Sequence, residues 1–96
     1  MDPVETRELT YFVTVAEELS FTRAAERLQI AQPPLSRAIQ RLERRMGVRL
    51  LERTSRSVTL TPAGEVLLRE GRRALDATAA AVRRAQRAGR ADACLV

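Results

Sequence analysis

Between positions 32 and 44 the chain carries side chains suited to reading a patterned polar surface: Gln32, Pro33, Ser36, Arg37, Gln40, Arg41 and Arg44. Glutamine pairs bidentately with the major-groove edge of adenine, arginine with that of guanine, and serine serves either base. These residues lie opposite or beside an apolar stripe, Leu35, Ile39, Leu42 and Met46, spaced as one face of an α-helix. The stripe belongs against a core, so the polar set faces solvent or a partner. The chemistry on offer is recognition by hydrogen bonding, with no bond made or broken. The alternative is an ordinary helical hairpin whose charged face is merely solvated.

The elements that hold this face follow from the flanking residues. Gln32-Pro33-Pro34 opens the helix, because prolines in a first turn lack only N–H groups that have no intrahelical partner. Gly47 ends it, since glycine takes the left-handed conformation at little cost. Upstream, Phe21, Ala24, Ala25 and Leu28 form the stripe of a shorter helix, with Ser20 placed to cap its first turn. Two short helices across a tight turn make a helix-turn-helix over 21–40, which presents the start of its second helix to base edges.

Charge is distributed to match. The formal net charge is +5, the pI is near 11.1, and every basic residue is arginine. Asp2, Glu5, Glu8, Glu17, Glu18 and Glu26 outweigh Arg7 and Arg23 in residues 1–26, a net −4. Arg27, Arg37, Arg41, Arg44, Arg45, Arg49, Arg53 and Arg56 outweigh Glu43 and Glu52 in residues 27–60, a net +6. A basic total alone fits several acidic partners. Its concentration around the second helix favours the phosphate backbone of DNA.

Other function classes find little support. Histidine is absent and Cys94 is the sole cysteine, which leaves no intrachain disulfide, no zinc ligand set and no histidine-based triad or general base. No glycine-rich phosphate loop or paired-acid cluster is present. We therefore expect no enzymatic activity, cofactor or metal. A signal-peptide or membrane-spanning run is also missing, so the expected location is the cytoplasm.

Taken in order, Met1 to Glu5 reads as a loose end. Leu9, Phe12, Val13, Ala16 and Leu19 then form the stripe of a first helix over Thr6 to Leu19, with Glu8, Glu17 and Glu18 outward and Tyr11, Phe12 and Phe21 as packing residues. Beyond Gly47, Val48-Arg49-Leu50-Leu51 leading into Glu52-Arg53, and Val58-Thr59-Leu60, flank the polar turn Thr54-Ser55-Arg56-Ser57, which predicts a two-stranded wing with Arg56 near its tip. Such a tip can follow a phosphate strand or enter a minor groove. Arg41 and Arg53, from the same basic segment, complete the candidate DNA-contacting set. Thr61 caps and Pro62 opens a long helix in which Leu68, Leu75 and Val82 recur every seven residues, with Gly71, Thr78 and Ala85 between. So long a seam exceeds what a small body can cover, and a second copy is the expected partner. Arg83, Arg84, Arg87 and Arg90 are expected to solvate its far end. The expected organisation is a mainly α winged helix-turn-helix (three helices and a two-stranded wing) over 4–61, a linker and dimerisation helix over 62–90, and a tail over 91–96. Leu95-Val96 reads as the opening of a buried strand, so this is expected to be the front of a longer protein.

The segments AQPPLSRAIQRLE and LLERTSR, followed by LTPAGE, together with the preceding YFVTVAEELSFTRAAERL, resemble the N-terminal DNA-binding domain of LysR-type transcriptional regulators, most closely those controlling aromatic-compound catabolism. The likeness runs from about Arg7 to Leu75. It implies a sequence-specific regulator that binds double-stranded promoter DNA as a homodimer through its linker helix. It also implies tetramers only in a full-length protein, and a small-molecule effector bound by a C-terminal domain absent here. By position it assigns base reading to Gln32, Pro33, Pro34, Ser36, Arg37 and Gln40, backbone contacts to Ser20, Thr22 and Arg23, and a wing contact to Arg56. Many members carry Ser or Thr where this chain has Ala31, so a capping hydroxyl is absent and the helix start rests on the prolines. Two rivals remain: a non-specific nucleoid-type binder, which would not discriminate between sequences, and a protein-interaction winged helix, which would ignore duplexes at moderate salt.

Overall fold

The structure is a computed structural model and describes residues 4–94. It runs α1 (Thr6–Glu18), α2 (Phe21–Leu28), α3 (Gln32–Met46), β1 (Leu51–Arg53), β2 (Val58–Leu60) and α4 (Pro62–Cys94). This is the expected winged helix-turn-helix followed by a long helix.

Helix ends follow the local chemistry. The Glu5 N–H donates to Glu8 Oε1 at 3.0 Å, which fixes the start of α1, and Val4 packs against the core. Val4 and Glu5 are therefore held, unlike the loose end expected over residues 1–5, and residues 1–3 lie outside the described part. At the other end Leu19 takes the left-handed conformation (φ 50) and its N–H closes on the Val15 carbonyl at 2.7 Å. That turn swings Leu19 outward to 46% exposure, so it does not extend the buried stripe as expected. Ser20 Oγ accepts from the Arg23 N–H at 3.2 Å and caps α2. Ala31 precedes α3 in extended conformation with no side-chain cap, and the prolines lie in the first turn. Gly47 (φ 73) closes α3 with its N–H on the Glu43 carbonyl at 2.9 Å.

Phe12 and Val15 of α1, Leu35, Ile39 and Leu42 of α3, and Leu50 and Leu51 at the wing are fully buried, with Phe21, Ala24 and Ala25 of α2 beside them. Small residues in α2 let it lie close on its neighbours, while the apolar faces of α1 and α3 supply the burial that drives assembly. The strands pair antiparallel, Leu51 with Leu60, Glu52 with Thr59 and Arg53 with Val58. Leu51 points inward and Glu52 outward, the alternation of a half-buried strand.

Thr61 joins the wing to α4. Its hydroxyl donates to the Arg49 carbonyl at 2.7 Å and accepts from the Gly64 N–H at 3.0 Å. A Cβ at Gly64 would stand 2.1 Å from the Leu50 carbonyl oxygen, and one at Gly71 would stand 2.9 Å from Leu9 Cδ1. The two glycines thus bring α4 into close contact with the wing and with α1. Two acids expected outward also bind the elements together: Glu8 pairs with Arg45 of α3, and Glu17 takes Arg27 of α2 at 2.8 Å and Arg72 of α4 at 2.9 Å. Leu67, Leu68 and Leu75 pack partly against the core. Past Leu75 the helix leaves the body, with every residue exposed to Ala91 except half-buried Ala80, and the chain spans 60 Å in its longest direction. The helix also continues through the expected boundary at 90 to Cys94, so the tail proposed for 91–96 is helical over its first four residues. Leu95 and Val96 lie outside the described residues.

Candidate nucleic-acid interface

Helix α3 has four faces, each with a different neighbour. Leu35, Ile39 and Leu42 point into the core. Pro33, Arg37, Gln40 and Arg44, spaced i, i+4, i+7 and i+11, run along the exposed side, and Gln32 extends that side at the helix start. Pro34, Ala38, Arg41 and Arg45 line the side facing α1. Ser36 and Glu43 face the wing, where Arg53 meets both. Of the residues expected to read bases, Gln32, Pro33, Arg37 and Gln40 therefore share one exposed surface, Ser36 is half-buried at its edge, and Pro34 lies round the helix on the side facing α1.

Glu43 is the hinge of this arrangement. Its Oε2 accepts from the backbone N–H groups of Leu50 at 2.8 Å and Leu51 at 3.3 Å, and Arg53 and Arg49 approach at 3.8 and 3.9 Å. One carboxylate thereby fixes the start of β1 to α3 and satisfies two donors that burial would otherwise leave unpaired. Sequence reasoning counted Glu43 only as an acid in a basic segment. Its spacing of seven residues from Leu50 carries no recognisable motif.

Arg53, expected among the DNA-contacting residues, is engaged within the protein. Its guanidinium lies over the Phe21 ring at 4.4 Å, it donates to Ser36 Oγ at 3.4 Å, and its side chain is only 26% exposed. A cation so engaged braces the wing against α2 and α3. Arg56, by contrast, is exposed at the wing tip. The tip is tied by Thr54, whose N–H donates to the Ser57 carbonyl at 2.9 Å and whose hydroxyl accepts from the N–H groups of Ser57 at 3.0 Å and Arg56 at 3.3 Å. The small polar turn was legible in the sequence, but the part Thr54 plays in it was not.

A groove of about 400 Å³ runs between the start of α2 and the wing, lined by Ser20, Phe21, Thr22, Thr54, Arg56 and Ser57 among others. It opens beside the positive end of the α2 dipole. Ser20, Thr22 and Arg56 thus meet in one place. Arg23 is exposed on the first turn of α2.

The expected dimerisation seam divides in two. Leu68 and Leu75 are partly covered by the chain's own core, while Val82 is 51% exposed on the projecting half of α4. Among the described residues no helix is long and apolar enough to cross a membrane, and no group of three potential metal ligands gathers.

Comparison with known proteins places this architecture. YnfL of Escherichia coli strain K12, an uncharacterised HTH-type transcriptional regulator, is 53% identical over 90 residues, 94% of this chain and 30% of YnfL. The chain thus spans under a third of that relative. Among solved structures, a BenM DBD/catB site 1 DNA complex superposes with a TM-score of 0.85 at 49% identity, covering 88% of this chain and 93% of that one. A CbnR DBD–DNA complex gives 0.85 at 42% identity over 90% of this chain and 99% of the other. Residues 6–65 match the model of the bacterial regulatory helix-turn-helix proteins of the lysR family. That span takes in α1, the helix-turn-helix, the wing and the start of α4, and so this chain belongs to the LysR family of bacterial regulatory helix-turn-helix proteins.

Proposed function

We propose that the chain is the sequence-specific DNA-binding part of a transcription regulator, which lays α3 in the major groove of promoter DNA. The observation that carries this reading is the exposed line Pro33, Arg37, Gln40 and Arg44, continued by Gln32, backed by a fully buried Leu35-Ile39-Leu42 face. Phosphate binding alone calls for cations. Amides and a guanidinium on one short-side-chain helix start add the bidentate donors and acceptors that distinguish bases. Gln32, Ser36, Arg37 and Gln40 would read base edges, with Pro33 or Pro34 against a thymine methyl. Ser20, Thr22, Arg23 and Arg56 would hold the phosphates beside the α2–wing groove. The basic balance of residues 27–60 makes the affinity steeply salt-dependent.

Two copies would bind together through the linker helix, with Val82 and the uncovered sides of Leu68 and Leu75 in the contact. A two-fold dimer then calls for a pseudo-palindromic site with half-sites about 10 bp, or a multiple, apart. Acting on chromosomal promoters, such a regulator works in the cytoplasm and needs no catalytic group. Effector binding would belong to other parts of a longer protein. The test is Arg37→Ala: if Arg37 reads a base, the variant loses ~1–3 kcal/mol on the preferred duplex and relaxes preference at one position. An equal loss on every duplex would assign Arg37 to the backbone instead.

A further inference from the structure

A second groove, of about 360 Å³, lies on the opposite side of α3 from the wing, between α3 and the first turns of α1. It is lined by Arg7, Tyr11, Arg41 and Arg45, with Glu5, Glu8, Pro34 and Ala38 completing the walls. Both of its acids are engaged: the Glu5 carboxylate accepts from the Glu8 backbone N–H in the cap of α1, and three arginines outweigh the two of them. Glu8 is occupied by Arg45 and by the Glu5 N–H. Arg7 and Arg41 are exposed and neither forms a hydrogen bond or a close ion pair among the described residues, the Arg41 charge acting on the Glu8 carboxylate only from a longer distance. The Tyr11 hydroxyl likewise has none there, although its ring is half-buried.

A helix seated in a major groove about 12 Å wide has a phosphate strand on each side. The α2–wing groove flanks α3 on one side of its exposed Pro33–Arg44 line, and the α1–α3 groove flanks it on the other. We propose that Arg7, Arg41 and the Tyr11 hydroxyl form a seat for the backbone phosphate of that opposite strand, so that α1 grips DNA as well as covering the core. This inference rests on the major-groove reading above. Arg7 stands on α1 and Arg41 on α3, and a phosphate bridging them spans two elements. It therefore fixes the angle at which α3 enters the groove, a positioning role that carries no sequence information of its own.

The test measures duplex affinity against salt for the 96-residue chain and for Arg7→Ala, Arg41→Ala and Tyr11→Phe, with Arg87→Ala on the distal helix as control. Each arginine variant is expected to lower the slope of log K against log[salt] by about 0.9 per copy bound, with base preference unchanged. Tyr11→Phe is expected to weaken binding a few-fold with no change in slope. Replacing phosphates one at a time by neutral methylphosphonates should reveal a position that weakens the parent chain and is silent in Arg7→Ala. Matching thermal melts show that the exposed Arg7 site has not altered folding. An unchanged slope for Arg7→Ala, with no position becoming silent, overturns the seat while leaving duplex binding intact. A parent chain that ignores every duplex instead removes the major-groove reading, and this inference with it.

Discussion

The guanidinium of Arg53 lies 4.4 Å from the centre of the Phe21 ring, joining the last residue of β1 to the first residue of α2. Wing and helix-turn-helix are thereby held at one angle. A half-buried cation–π contact of this kind contributes about 1–2 kcal/mol, and it depends on the flat face of the guanidinium. Arg53→Ala should lower unfolding free energy by about that amount in urea titrations. Arg53→Lys should recover less than half of the loss, and full recovery would show that charge alone matters.

Glu43 offers a sharper version of the same coupling. Removing its carboxylate leaves the Leu50 and Leu51 N–H groups without their acceptor, and Glu43→Ala should cost about 2 kcal/mol, near the lower end for two part-buried donors. Glu43→Gln keeps an oxygen acceptor and should cost less than half as much. Amide hydrogen exchange at Leu50 and Leu51 should accelerate in the alanine variant and stay near normal in the glutamine variant.

Two glycines of α4 should respond to alanine with opposite signs. At Gly64 the new Cβ collides with the Leu50 carbonyl oxygen at 2.1 Å, a backbone atom that cannot step aside, and the cost should be about 1–3 kcal/mol. At Gly89 nothing lies within 4 Å, so alanine should raise helix stability by about 0.5–1 kcal/mol. Melting temperatures of the two variants check this, and a stable Gly64→Ala protein would mean that α4 does not rest on the wing.

Acid should weaken the links between the helices. The Glu5 N–H holds the Glu8 carboxyl below its ordinary value against the opposing effect of burial, with Arg45 adding to the depression. For Glu17 burial pushes upward but is outweighed by Arg72 and Arg27, and the result is again a depression. Groups whose folded values are depressed contribute stability above the unfolded value, near 4.5, and lose it as pH falls through the folded value. Unfolding free energy should therefore decline below about pH 4.5, and Glu17→Gln should flatten that decline.

Much of this molecule was legible in its sequence because its signals are local. Ser20, Gly47, Thr61-Pro62 and the two prolines of α3 mark helix ends through the chemistry of a single turn. Apolar spacing gave Leu35, Ile39 and Leu42 to the core and left Arg37 and Gln40 outside. What spacing could not convey was contact between distant residues. Glu8 finds Arg45, Glu17 finds Arg72 and Arg53 finds Phe21 only once the helices have packed. Leu19 misled because it keeps the helical spacing of α1 yet occupies the left-handed turn that ends it. Leu68 and Leu75 satisfy a heptad rule whether the surface opposite is a second copy or this chain's own α1.

The most direct test of the central claim is selection of bound duplexes from a random pool by the purified chain at moderate salt. An enriched motif with two-fold related half-sites, lost or blurred at one position in Arg37→Ala, is the predicted result. A pool recovered unchanged in sequence, or no recovery of duplex at all, would contradict base reading by α3.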